Sequence, residues 1–106
     1  MDWIKIFSSV GQMESLLVMN QPRQLIVGSK RICLVRTDDG IRAVEDKCTH
    51  NGESLSKGKV NYLGEVVCPW HSYRFNLATG RESSERSRDL ITYPLKAEPD
   101  GIFIGM

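Results

Sequence analysis

The sequence predicts an all-β fold built from antiparallel sheets. Short runs of residues alternate between apolar and polar side chains, which is the pattern of a strand with one buried face. Turn signals that contain glycine or proline separate these runs at short intervals, as in proteins built from many short strands. The chain has 106 residues, the size of one domain, so we predict a single domain over residues 1–106.

The first part of the chain is predicted to form a strand and then an antiparallel meander. Gly28-Ser29 is a tight-hairpin signal, because glycine readily adopts the positive φ that such turns require. Thr37-Asp38-Asp39-Gly40 is a second turn signal. Residues 8–20 fit either a short helical turn or a loop. The predicted strands in this part are residues 3–7, 23–27, 30–36 and 41–45.

The second part is predicted to contain more short strands around a polar loop at residues 51–58. Tyr73 and Phe75 alternate with polar residues, which indicates a strand with an inward aromatic face. Pro94 has no amide N–H to donate, so we place it at a sheet edge or a bulge. The predicted strands in this part are residues 59–62, 65–67, 73–75, 90–97 and 102–105.

Both histidines of the chain lie in two short segments, each with a cysteine. The segments are Cys48-Thr49-His50 and Cys68-Pro69-Trp70-His71, one in or beside each of two predicted loops. A lone cysteine is more often a small buried hydrophobe than a ligand. Four such residues in two close pairs instead indicate a metal site.

Two kinds of metal site fit this set of ligands. A Cys₂His₂ set suits a tetrahedral zinc ion. Each pair here is mixed, however, and mixed pairs suit two adjacent metals. Each loop then supplies a thiolate to one iron and an imidazole to the other, as in a [2Fe–2S] centre with two cysteines on one iron and two histidines on its neighbour.

The two segments closely resemble the signature of Rieske [2Fe–2S] domains. The likeness extends to residues that are not ligands, and it covers most of residues 3–106. It is most specific over residues 46–80. The flanking positions that match the family are Leu55, Gly58, Phe75, Thr79 and Gly80.

The resemblance implies a Rieske-type antiparallel β-sandwich with a small cluster-binding subdomain of two loops, at about residues 46–80. It also implies one [2Fe–2S] cluster, with Cys48 and Cys68 on the inner iron and His50 and His71 on the outer iron near the surface.

The function that the resemblance implies is that of a ferredoxin. We expect a one-electron carrier, not an enzyme, that passes electrons from a reductase to a terminal oxygenase or a similar acceptor. Its partners would be redox proteins, and we expect a monomer. Two alternatives stay open: a small electron-transfer subunit of a larger enzyme such as a nitrite reductase, and a structural zinc site.

Four positions differ from the high-potential branch of the family. Rieske proteins of bc-type complexes carry an extra cysteine in each cluster loop, joined as a disulfide, and Glu53 and Trp70 stand at those positions. That branch also has a tyrosine where Phe75 stands, and a serine where Tyr73 stands. Fewer hydroxyl donors to the cluster sulfurs should lower the potential. We therefore predict a low-potential ferredoxin without a disulfide.

Three further expectations concern the third loop, the third cysteine and the docking surface. The third loop that such proteins bring near the cluster corresponds to residues 82–89, which contain no proline. Cys33 lies in the middle of a predicted strand, so we expect a buried structural thiol. We expect the docking surface around the two histidines to comprise Asn51, Gly52, Ser54, Pro69, Trp70 and Ser72.

Composition excludes several classes of function. The net charge is +1 and the charged residues of both signs are interspersed, which does not favour nucleic-acid binding. No apolar run approaches the length of a membrane span, roughly 18 residues. Three cysteines fit a disulfide framework poorly. We expect a cytoplasmic protein with no membrane or nucleic-acid partner.

Overall fold

The computed structural model describes residues 1–70 and 72–106, and its strands pair antiparallel, which confirms the all-β prediction. Within these residues the elements in chain order are β1 (Trp3–Phe7), α1 (Val10–Leu16), β2 (Arg23–Val27), β3 (Lys30–Thr37), β4 (Gly40–Glu45), a 3₁₀ turn (Leu55–Lys57), β5 (Lys59–Val60), β6 (Glu65–Val67), β7 (Arg74–Asn76), β8 (Thr92–Tyr93), β9 (Leu95–Glu98) and β10 (Gly101–Gly105).

The described strands form three sheets. The first has the order β1-β10-β9, the second β2-β3-β4-β8, and the third β5-β6-β7. The predicted meander is the core of the second sheet, with Val27 paired to Lys30 across the turn at Gly28. Gly28 has a φ of 60°, the conformation for which a glycine was expected there.

The second sheet lies in the middle of the molecule and is buried on both faces. Successive side chains of a strand point to opposite faces. In β3, Ile32 and Leu34 pack into one hydrophobic core, and Cys33 and Val35 pack into the other. All four side chains are at most 2% exposed.

Each of the two cores joins the middle sheet to a different part of the chain. The first core includes Phe7, Ile102 and Ile104 from the first sheet. The second includes Cys48, Leu55, Val66, Cys68 and Phe75, which belong to the predicted cluster-binding region. The base of that region is therefore fixed by the apolar face that β3 and β4 present to it.

The ambiguous segment after β1 forms the short helix α1. Ser9 caps it, since its hydroxyl accepts a hydrogen bond from the Gln12 amide at 3.0 Å. Met13 and Leu17 are buried in the first core. No helix in the described part of the chain is long and apolar enough to cross a membrane.

Two predicted strands differ from the observed strands by more than one residue at an end. The run at residues 90–97 forms two strands, because β8 pairs with β4 in the second sheet whereas β9 pairs with β10 in the first. Pro94 lies between them, where the chain changes sheets. The strand predicted at residues 59–62 ends at Val60, because the Asn61 side chain accepts hydrogen bonds from the Leu63 and Glu65 amides and forms a turn.

Candidate metal centre

The first cysteine–histidine loop begins where β4 ends. The Cys48 amide donates to the Glu53 carbonyl at 2.8 Å, and the Gly52 amide donates to the Cys48 carbonyl at 2.7 Å. Gly52 has a φ of 78°, which permits this tight return. The loop therefore has a buried cysteine at its base and the exposed His50 at its tip.

A buried carboxylate anchors this loop to the second sheet. Asp46 is 0% exposed and accepts hydrogen bonds from the Ser54 hydroxyl at 2.6 Å, the Ser56 amide at 2.6 Å and the Gln24 side-chain amide at 2.7 Å. Both serine donors lie on the returning part of the loop and Gln24 lies in β2, whereas Asp46 lies on the outgoing part, so Asp46 holds the two parts of the loop together. We did not predict this role, although a carboxylate followed by two spaced serines was visible in the sequence.

The second loop repeats the arrangement after β6. The Cys68 amide donates to the Tyr73 carbonyl at 2.8 Å, which closes the loop around Pro69 and Trp70. Cys68 is buried, whereas Pro69 and Trp70 are exposed. The predicted ligand His71 lies outside the described residues.

A side-chain hydrogen bond joins the tips of the two loops. The Trp70 indole N–H donates to the Glu53 carboxylate at 2.6 Å. Hydrogen bonds from the Ser54 amide and from Trp70 lower the pKa of Glu53, so it is ionised at neutral pH. These are the two positions where the high-potential branch of the resembled family carries its disulfide. Trp70 is 55% exposed, and this hydrogen bond fixes its indole on the surface.

The thiols of Cys48 and Cys68 lie side by side at the base of the loops. Each residue is 1% exposed, and neither forms a disulfide. Burial, together with the adjacent Cys48 thiol, raises the pKa of the Cys68 thiol to about 11, although a hydrogen bond from the Trp70 backbone amide acts to lower it. A metal that binds here displaces the thiol protons and supplies the positive charge that two neighbouring thiolates require.

His50 lies at the tip of the first loop with its ring stacked on Tyr73. The ring centroids are 3.9 Å apart and the ring planes differ by 10°. Among the described residues, no three His, Cys, Asp or Glu side chains form a group around one metal ion. Two buried thiols at the base of the loops and an exposed imidazole at a loop tip are the ligand types that a [2Fe–2S] group with mixed ligation takes. The residues therefore fit a [2Fe–2S] group.

The third loop, residues 82–89, contacts the first loop between its two candidate ligands. The Thr49 hydroxyl donates to the Arg88 carbonyl at 2.7 Å and also contacts the Ser87 hydroxyl. Arg88 in turn makes two hydrogen bonds to the Glu45 carboxylate, at 2.7 and 3.2 Å. The proline-free loop is thus fixed to the end of β4 and to the cluster loop.

The predicted docking surface needs one correction. Asn51, Pro69, Trp70 and Ser72 are exposed, and Gly52 is half-buried. Ser54, however, is buried at 5% exposure because its hydroxyl points inward to Asp46. Placing it on the surface was wrong.

Comparison with known proteins identifies relatives of this chain. Residues 7–94 match the model of one protein family, the Rieske [2Fe-2S] domain. The ferredoxin component of the naphthalene 1,2-dioxygenase/salicylate 5-hydroxylase systems of Ralstonia sp is 32% identical over 81 residues, which are 76% of this chain and 77% of that protein.

Two further comparisons extend the likeness. Human Apoptosis-inducing factor 3 is 32% identical over 85 residues, which are 79% of this chain but 14% of that protein. The chain thus spans a small part of that relative. The solved ferredoxin of carbazole 1,9a-dioxygenase from Nocardioides aromaticivorans IC177 has a TM-score of 0.83 and 20% identity, over 99% of this chain and 98% of that one, which shows a shared fold.

Proposed function

Because the chain belongs to the Rieske [2Fe-2S] domain family, we propose that it is a ferredoxin that carries one electron at a time from a reductase to a terminal oxygenase. One observation carries the proposal most directly. Two buried, unpaired thiols, Cys48 and Cys68, lie together at the base of two loops whose tips are exposed. That arrangement suits a protected redox group with an outlet to the surface.

The proposed ligands divide by depth. Cys48 and Cys68 would hold the inner iron, and His50 and His71 the outer iron. When bound, the cluster supplies a reversible one-electron couple. Histidine ligation raises its reduction potential above that of all-cysteine centres. No other cofactor is needed for this role.

The chain's own residues would protect the cluster and present its outer edge to a partner. Leu55 and Phe75, both 0% exposed, pack with the cysteines and keep water from the thiolate side. His50 is exposed, so its imidazole forms the proposed outlet for the electron. Asn51, Pro69, Trp70 and Ser72 surround that outlet and form the corrected docking surface.

We further propose a potential at the low end of the Rieske range, about −150 to +300 mV. Phe75 is buried in the core and has no hydroxyl to donate to a sulfur. The Tyr73 ring is stacked on His50, an arrangement that a serine at this position could not make. Protein-film voltammetry tests this proposal, and a midpoint well above zero contradicts it.

Metal analysis and spectroscopy test the proposed cofactor. We expect a red-brown protein with about two irons per chain and, after reduction, the paramagnetic resonance spectrum of a half-reduced [2Fe–2S] centre. Cys68→Ala should lose the iron. Cys33→Ala is the matched control, because Cys33 is equally buried but lies in β3, and it should retain both irons. A colourless protein that contains only zinc contradicts the proposal.

The acceptor is tested by reconstitution. The relative from Ralstonia sp, of which this chain covers 77%, is named as the ferredoxin component of dioxygenase and hydroxylase systems. This supports an oxygenase as the electron acceptor. We expect stoichiometric oxidation of the reduced protein by an oxygenase and no turnover by the ferredoxin alone. A stable complex with a nitrite reductase on size-exclusion chromatography would instead favour the subunit alternative. A monomer and a cytoplasmic location remain predictions.

A further inference from the structure

The third loop, residues 82–89, is built around a buried carboxylate. Glu82 is 1% exposed. Its two oxygens accept hydrogen bonds from the Ser84 amide at 2.7 Å, the Ser84 hydroxyl at 2.6 Å and the Arg86 amide at 2.8 Å. Burial by itself raises the pKa of Glu82, but these bonds and the Arg86 charge outweigh it and lower the pKa to about 2. The loop therefore has a fixed anion at its centre.

This anion fixes the side chain of Arg86. The Arg86 Nε atom is 3.9 Å from the Glu82 carboxylate and donates to the Ser84 hydroxyl at 2.5 Å. The side chain is 55% exposed, so without these partners it would sample many rotamers. The Glu82 carboxylate and the Ser84 hydroxyl hold it in one place.

The fixed guanidinium lies on Tyr73. Its central carbon is 4.0 Å from the Tyr73 ring centroid, within the range of a cation–π contact. The His50 ring is parallel to Tyr73 and 3.9 Å from the same centroid. Two groups this close to one centroid cannot share a ring face, since each already stands at van der Waals contact. Tyr73 therefore separates Arg86 from His50 in a three-layer stack.

We propose that Tyr73 and Arg86 are positioning residues for His50, and that the buried Glu82 holds this stack in place on the outer side of the cluster. The inference rests on the proposed function, because it requires His50 to be an iron ligand. Neither residue would touch the iron.

The stack has two consequences for electron transfer. Tyr73 restricts rotation of the imidazole plane, which a ligand at the tip of an exposed loop would otherwise retain. Arg86 also places a positive charge within about 8 Å of the imidazole, given the two stacking distances of 3.9 and 4.0 Å. A nearby positive charge favours the reduced form, although solvent and the Glu82 anion reduce the effect.

The charge is tested by redox titration of Arg86→Gln. We expect the reduction equilibrium to become less favourable by about threefold to tenfold, with tenfold equal to ~59 mV for a one-electron couple. Arg86→Lys should change the reduction equilibrium less than Arg86→Gln does, because lysine keeps the positive charge. Arg81→Gln is the matched control. Arg81 belongs to the same region and pairs with a glutamate four residues away, Glu85, as Arg86 does with Glu82, yet Arg81 lies outside the stack. Equal potentials for Arg86→Gln, Arg81→Gln and the wild type would overturn the electrostatic role.

The positioning role is tested by Tyr73→Leu, which keeps bulk but removes the flat ring. In the paramagnetic resonance spectrum of the reduced protein, we expect broader lines and shifted g values. The iron content should be unchanged. An unchanged spectrum would overturn it. A wild-type protein that binds no iron would contradict the proposed function instead. In that case the stack is still measurable, because the His50 ring protons should move downfield in the proton NMR spectrum of Tyr73→Leu as the Tyr73 ring current is lost.

Discussion

Gly58→Ala should separate the two cluster loops. Gly58 has a φ of −86°, so the backbone conformation would accept alanine, and the limitation is space. A Cβ there would lie 1.9 Å from the Val67 carbonyl oxygen and 3.2 Å from the Leu55 carbonyl oxygen. Ordinary contact requires roughly 3.5 Å, so the backbone at residue 58 and that at residue 67 must move apart by about 1.5 Å.

The expected loss in free energy of unfolding is large, because the new Cβ meets backbone atoms and no side chain can rotate away to relieve the contact. Overpacking in a core costs about 1–3 kcal/mol, and we expect this substitution to reach or exceed the upper end. Val67 directly precedes Cys68, so its displacement also moves a proposed ligand. Iron content should fall together with stability.

The assay is a urea titration followed by far-ultraviolet circular dichroism and by the visible absorbance of the cluster. Gly11→Ala is the control, because a Cβ at that helical position meets only the Ser9 hydroxyl at 3.8 Å. The control should be neutral or stabilised by about 0.5–1 kcal/mol. If Gly58→Ala kept two irons and a wild-type urea midpoint, the proposed close packing of the loops would be refuted.

Three other predictions follow from single side chains. Trp70→Phe removes the donor to Glu53, so the cluster should bleach severalfold faster in the presence of a chelator; a wild-type rate would show that the bond does not hold the loops. Glu82→Gln should lower the free energy of unfolding, measured by urea titration at pH 7, by up to ~3 kcal/mol, because folding lowers the pKa of Glu82 from 4.5 to about 2. The control Glu85→Gln, at an exposed position, should change it little. Because the pKa is lowered, this stabilisation is complete above pH 4.5 and is lost as the pH falls towards 2. The difference in unfolding free energy between wild type and Glu82→Gln should therefore shrink in that window. Equal stability of the two proteins at pH 7 would contradict a stabilising role of the Glu82 carboxylate. Burial raises the pKa of Cys33, so iodoacetamide should not alkylate it before the protein unfolds, as peptide mass spectrometry can check.

Local sequence patterns predicted the meander and the loops well, because their causes are local. The β-rich run over residues 30–36 and the glycine at position 28 define β3 and its hairpin without reference to the rest of the chain. The two cysteine–histidine segments were visible for the same reason. The ligand assignment itself remains a proposal, and His71 lies outside the described residues.

Features that depend on distant contacts were not predicted. The change of sheet at Pro94 depends on where β4 and β10 offer free edges, which the alternation of residues 90–97 does not encode. Ser54 looked like a polar loop residue, yet Asp46 draws it inward. The stack of Arg86 on Tyr73 likewise depends on how the third loop folds around Glu82, and a run of mixed charges gives no sign of that.

The contact between Glu53 and Trp70 bears on how the cluster loops stay together without a disulfide. A disulfide would be reduced in the reducing compartment expected for this chain, whereas a hydrogen bond is indifferent to redox conditions. A half-exposed hydrogen bond is also a weak clamp, since water competes for both partners. The loops must therefore depend on further attachments. Asp46 closes the base of the first loop, and Gly58 lets the two loops meet backbone to backbone. If several contacts share the task of holding the loops, Trp70→Phe should accelerate cluster loss without lowering the iron content of the purified protein. Gly58→Ala acts on the backbone of both loops at once and should lower the iron content itself.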